Sequence, residues 1–296
     1  MDALECEYAL VDMVPSPHPD HEKCDLGPVI VTLKTNIENL HDNEENILSL
    51  FRQTFTFKKY DKVLLNIVVD RENLVSEIEE SLLIKRLREV YSEKVVLNYV
   101  KYDWGILTSI VEALRYTEKM NSETRDCVYP HDTRLIYCED YIKYPETMVE
   151  VLNLISLLDS GNTVWGTAGF NVCNMNVQMK KKHGTYVEVL EAYGGVVTRI
   201  GSLIDDFVPH VKSISEENIL VLRDCADIII SNYFAKHNHS KKVINLENKK
   251  YSFDYIWSNM KTCNDNTILS RNKVWENHMD SIYILSGWKE LYLKLS

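Results

Sequence analysis

Apolar residues along this chain fall into short continuous runs, separated by stretches in which they recur every three or four positions. Runs apolar throughout belong to strands covered on both sides, whereas the spaced pattern belongs to helices with one buried stripe. The first run is 28–33, and 39–51 follows it with Leu40, Ile47, Leu48 and Phe51 at helical spacing. A second strand is predicted at 62–69 and a charged amphipathic helix at 76–91, with Ile78, Leu82, Leu83 and Leu87 along one side. The third pair is a strand at 94–100 and a helix at 107–116. A fourth strand, 134–138, ends in Glu139 and Asp140, and a helix at 147–158 comes next. This alternation predicts an α/β fold whose mostly parallel sheet is flanked by helices on both faces, with any ligand site at the carboxyl ends of the strands.

The second half is less regular. Strand-like runs at 163–165, 186–190 and 194–198 come without intervening helices, so a mixed half is expected there. Residues 1–26, with Pro15, Pro17 and Pro19 and no sustained period, read as an irregular arm. The folded domain is placed at 27–248. From Lys249 on, Tyr251, Phe253, Tyr255, Ile256 and Trp257 suggest a helical extension, 249–296, packed on that domain. No Gly-x-Gly-x-x-Gly follows the first strand and no P-loop lysine motif occurs, so neither phosphate-binding signature has local support.

Composition narrows the function classes. With 296 residues, 45% of them apolar, the chain can bury a sizeable core. Its net charge of −11 and the lack of a basic stripe argue against nucleic acid as the main partner; Lys180, Lys181 and Lys182 form one short basic run, read as a solvated loop. No apolar stretch approaches the roughly 20 residues of a membrane span, and the first residues are acidic, which gives the expectation of a cytoplasmic protein. The seven cysteines are an odd number without Cys-x-x-Cys spacing, as expected of free thiols rather than a disulfide framework or zinc site.

Five local patterns occur in a fixed order: the run 28–33 with Thr32; Asp103-Trp104-Gly105 before a helix; Tyr137-Cys138-Glu139-Asp140-Tyr141-Ile142-Lys143-Tyr144-Pro145; Tyr193-Gly194-Gly195; and Asp227-Ile228-Ile229-Ile230-Ser231. In these the chain resembles GT-A (Rossmann-like) glycosyltransferases of the family-2-like group, including forms of large DNA viruses and bacterial polysaccharide loci, from about residue 27 to 244. The resemblance implies transfer of a hexosyl or pentosyl group from a nucleotide-sugar donor, most often a UDP-sugar, to a glycan hydroxyl, with inversion. It places Thr32, Asp103, Gly105, Thr108 and Glu139 toward the nucleotide, and Tyr193, Gly194 and Gly195 toward the acceptor. It also places Asp140 and Glu139 on a Mn²⁺ or Mg²⁺ ion, because these hard cations take carboxylate and phosphate oxygens.

Asp227 would then be the base that removes the acceptor's proton, with Asp224 as the alternative. Three positions depart from the family's pattern: Tyr141 replaces a third acid, Ser109 a lysine and Ala226 the first acid of a pair. They keep open a silent nucleotide-sugar-binding protein of the same fold. Structural readings stand beside each role: Asp227 and Asp103 as helix caps, Glu139-Asp140 as a solvated turn, and Gly194-Gly195 as a turn between strands. Asp205-Asp206 reads as a surface turn. Arg271 and His278 are the C-terminal groups placed to reach a diphosphate.

Overall fold

Strand β1 (Val29–Asn36) is the axis of the fold, buried along most of its length in a computed structural model that describes residues 27–69, 74–124, 127–159, 162–170, 184–203 and 206–244. The arm 1–26, Lys180 to Lys182, Asp205, and the C-terminal stretch with Arg271 and His278 lie outside the described residues. Parallel to β1 run β2 (Lys62–Val68) on one side and β4 (Arg134–Glu139) on the other, with β3 (Val95–Val100) parallel beyond β2. The sheet continues from β4 through β9 (Val196–Arg199), which is antiparallel to it, to β5 (Thr163–Gly166), β10 (Ser240–Val243) and β7 (Thr185–Tyr186). The strand order is thus β3-β2-β1-β4-β9-β5-β10-β7, with β9 and β7 running against the rest. A separate ribbon pairs β6 (Gly169–Phe170) with β8 (Val189–Leu190).

Alternate residues of the central strands serve opposite faces, as the pleat requires. Val31, Leu33, Leu65 and Ile136 pack with the helices α1 (Ile37–Asp42), α2 (Glu44–Ser49), α3 (Leu74–Glu80), α4 (Leu82–Tyr91) and α6 (Met148–Leu158). Ile30, Leu64, Leu135 and Tyr137 face the long helix α5 (Ile106–Glu123) together with α7 (Phe207–Asp224) and α8 (Ala226–Lys236). This two-sided burial is why those strands are apolar throughout. The expected α/β architecture, a mostly parallel sheet between helical layers with a mixed second half, is the one observed.

Differences from the expected elements are local. The helix predicted at 76–91 is two, because Ser81 takes an extended conformation and its hydroxyl accepts the Ile84 amide at 3.2 Å, capping α4. The helix predicted at 39–51 is also two, parted at Asn43. The run 186–190 divides between β7 and β8, and Gly194 belongs to a 3₁₀ turn, Ala192–Gly194, ahead of β9. Among the described residues, no helix is long and apolar enough to cross a membrane, and Cys127, Cys138 and Cys225 are free thiols.

Candidate functional site

The carboxyl ends of β1 and β4 bring the first acids together. Lys34 is paired in register with Glu139, and the Thr35 hydroxyl donates to Oδ2 of Asp140 at 2.6 Å. Asp140 is only 5% exposed, which rules out a solvated turn at this position. Burial pushes its carboxyl above the ordinary range; the Thr35 hydrogen bond opposes this, the neighbouring Glu139 charge adds to it, and the Asn43 hydrogen bond and Lys34 charge pull it back.

The turn after β3 reaches the same edge. Asp103 accepts the Gly105 amide on Oδ1 at 3.0 Å, and both its oxygens lie 3.1 Å from Lys34 Nζ. Lys34 therefore stands between Asp103 and the Glu139-Asp140 pair. The helix cap is Gly105, not Asp103. Its φ of 59° and ψ of −139° belong to glycine, and a Cβ there would meet the Arg223 carbonyl oxygen at 2.5 Å. Gly105→Ala is expected to cost about 2 kcal/mol or more of stability, read as a lowered midpoint in denaturant. An unchanged midpoint would mean that the turn relaxes freely.

Two residues expected at the nucleotide have hydrogen-bond partners within the fold. Thr32 is fully buried in mid-strand, donating to the Ser109 carbonyl at 3.1 Å and accepting from Asn66 Nδ2 at 3.0 Å. Thr108 is equally buried, and its hydroxyl accepts the Trp104 amide at 2.8 Å. Both fasten the start of α5 or its seat on the sheet. Ser109, where the family pattern has lysine, is also fully buried against β1. Trp104 and Trp165 are core residues.

Asp227 meets the residue just before the Tyr193-Gly194-Gly195 segment. The amide of Ala192 donates to Asp227 Oδ1 at 3.2 Å, and that of Leu190 to Ser231 Oγ at 3.0 Å. Two residues of extended chain advance about 6.6 Å and four of helix about 6 Å, so α8 matches alternate amides of the segment one turn at a time. Behind it, Lys241 donates to the Ser231 carbonyl at 2.9 Å, and burial lowers its ammonium pKa to about 8. Asp227 is 6% exposed, and the cap position of α8 is Cys225, so a cap role for Asp227 is excluded. Burial first, and the Asp227 charge second, push the Tyr137 phenol well above its ordinary range, which sets Asp227 beside β4.

Asp224 ends α7 paired with Arg223 at 2.9 Å and is more exposed. Asp206 is on the surface, accepting from Tyr233 at 2.8 Å. Gly194 is closed in by the Thr167 side chain, which leaves no room for a Cβ, and Gly195 has φ 90°. On the other side of this loop, the Tyr144 hydroxyl accepts the Glu139 amide at 3.0 Å and lies 2.8 Å from the Glu139 carbonyl and 2.9 Å from that of Tyr193.

The candidate groups thus gather along one edge of the sheet. Lys34, Thr35 and Arg223 belong with them and are not marked by any motif; strand register and the approach of the α7 end to Gly105 bring them in. Among the described residues, no three His, Cys, Asp or Glu side chains are grouped to hold a metal ion. Asp140 and Glu139 fit a hard cation only as a partial set, to be completed by ligand oxygens and water, which is how Mg²⁺ is commonly held.

The sequence matches no protein-family profile and no curated protein. Among solved structures it is similar to mannosyltransferase PcManGT from Pyrobaculum calidifontis in complex with GDP-Man and Mn²⁺, with a TM-score of 0.46 and 11% identity over 76% of this chain and 58% of that one. It is also similar to S. aureus TarS 1-349 (TM-score 0.44, 12% identity, 74% of this chain and 58% of that one). A third is GalNAc-T7 with UDP, GalNAc and Mn²⁺ (TM-score 0.44, 9% identity, 74% of this chain and 42% of that one). The structural neighbours are glycosyltransferases. The chain spans less than two thirds of the length of each of these three, and the likeness assigns no role to any of its residues.

Proposed function

We propose that this chain transfers a sugar from a nucleotide-sugar donor, with UDP-sugars the first candidates, to a carbohydrate hydroxyl with inversion at the anomeric carbon. One observation carries the reading: the buried carboxylate of Asp227 holds the Ala192 amide, so a carboxylate borders the Tyr193-Gly194-Gly195 loop. In the reaction, Asp227 takes the proton of the acceptor hydroxyl as its oxygen attacks the anomeric carbon and the bond to the nucleotide diphosphate breaks. Asp103, held by Lys34, orders the turn before α5 on the nucleotide side. Asp140 and Glu139 would hold a divalent cation, which offsets charge on the departing diphosphate.

Thermal shift against UDP-, GDP- and dTDP-sugars, with and without Mn²⁺, tests the reading, since a ligand of the folded state raises its midpoint by mass action. A shift that needs both nucleotide sugar and cation is expected; no shift with any of them defeats it. The silent-binder reading draws on the incomplete acid set, with Tyr141 in place of an acid. Binding without any donor hydrolysis or transfer would favour it.

Asp103→Ala tests the nucleotide side. It strips Lys34 of a partner and Gly105 of its acceptor, so the donor KM is expected to rise about tenfold while kcat at saturating donor changes little. Unchanged donor affinity would confine Asp103 to shaping the turn.

A further inference from the structure

Tyr144 is almost fully buried, and its backbone is fixed independently of its hydroxyl: the Tyr144 amide donates to Ser49 Oγ at 2.9 Å. The phenol at the other end of the side chain touches two segments remote in sequence. It accepts from the Glu139 amide, at the end of the strand that carries the acids, and its single proton is offered to either the Glu139 or the Tyr193 carbonyl. Only a hydroxyl both accepts and donates in this way, and phenylalanine would fill the same slot without joining the segments.

We propose that Tyr144 is a positioning residue that sets the spacing between the Glu139-Asp140 end of β4 and the 191–195 loop, and with it the distance between donor and acceptor. The inference rests on the transferase reading above. Displacement at an anomeric carbon needs the attacking oxygen within about 3–3.5 Å, and a misplacement of about 1 Å can cost 10²-fold. Loosening this spacing should hurt the acceptor, which must be held by the loop, more than water, which needs no such placement. The ratio of donor hydrolysis to sugar transfer therefore reports the role. A simple loss of folded protein lowers both reactions together and leaves the ratio unchanged.

The test uses the full chain with UDP-glucose, UDP-N-acetylglucosamine and GDP-mannose as donors, Mn²⁺, and a panel of p-nitrophenyl glycosides as acceptors. For Tyr144→Phe, the hydrolysis-to-transfer ratio is expected to rise about tenfold and the acceptor KM to rise, with donor affinity within about twofold of wild type. Should that variant fold poorly, Ser49→Ala releases the Tyr144 backbone while keeping the hydroxyl, and a smaller rise in the same ratio is expected. An unchanged ratio in the variants that fold overturns the proposal, however far total activity falls. If the wild-type chain binds and turns over none of the donors, the transferase reading fails first and takes this inference with it.

Discussion

Asp227→Asn is expected to lower the transfer rate by about 100-fold or more while donor affinity stays near the wild-type value. Asparagine has nearly the shape of aspartate and keeps an oxygen that can accept the Ala192 amide, the bond Asp227 Oδ1 makes at 3.2 Å. It cannot take up the acceptor's proton. Thermal stability should therefore stay close to wild type, so a fall in rate reports chemistry rather than folding. Asp227→Ala separates the two roles further: it leaves the fully buried Ala192 without its side-chain acceptor, at a cost of about 1–3 kcal/mol. Transfer kinetics, donor titration and a melting curve on the two variants together decide the matter. Full transfer activity in the asparagine variant would remove Asp227 from the chemistry and move the base role to Asp224.

Asp140→Asn is expected to change activity and stability in opposite directions. Activity should lose its dependence on Mn²⁺ and fall by at least the roughly 10- to 100-fold that loss of an outer-shell metal partner costs. Stability without ligand should hold or rise, and the sign follows from the buried carboxyl. Its pKa is raised in the folded protein, chiefly by burial, so folding favours the protonated form. That contribution is fully present below the ordinary carboxylate range and is lost as pH rises through the raised folded value. Once Asp140 is ionised, the ligand-free protein thus carries a poorly solvated charge there, which asparagine relieves. Melting curves from acid to neutral pH should show the wild type losing midpoint relative to the variant, and Mn²⁺ with donor restoring it in the wild type alone. A variant with wild-type Mn²⁺ dependence would leave Asp140 as a structural partner of Thr35.

What the sequence determined by itself was the class of fold and the residues worth inspecting. Uniformly apolar runs such as 62–69, alternating with stretches of helical period, require a sheet covered on both faces, because period and polarity are set by local backbone geometry and the need to bury apolar surface. The candidate acids were legible where they follow a strand, as Glu139 and Asp140 do, or open an apolar helix, as Asp227 does. Thr32 and Thr108 are less legible for the converse reason: a hydroxyl looks the same in sequence whether it meets a ligand or the backbone of the core.

The tertiary structure alone decided which groups meet. Thr35 reaches Asp140 across 105 residues, Lys34 reaches Asp103 across 69, Ala192 reaches Asp227 across 35 and Tyr144 reaches Tyr193 across 49. None of these pairings has a local signature. Each depends on which strands become neighbours and in what register, and on the one-turn match between α8 and the extended segment before β9. Those are properties of the assembled sheet and its helices, because side chains far apart in sequence acquire fixed distances only when the elements that carry them pack.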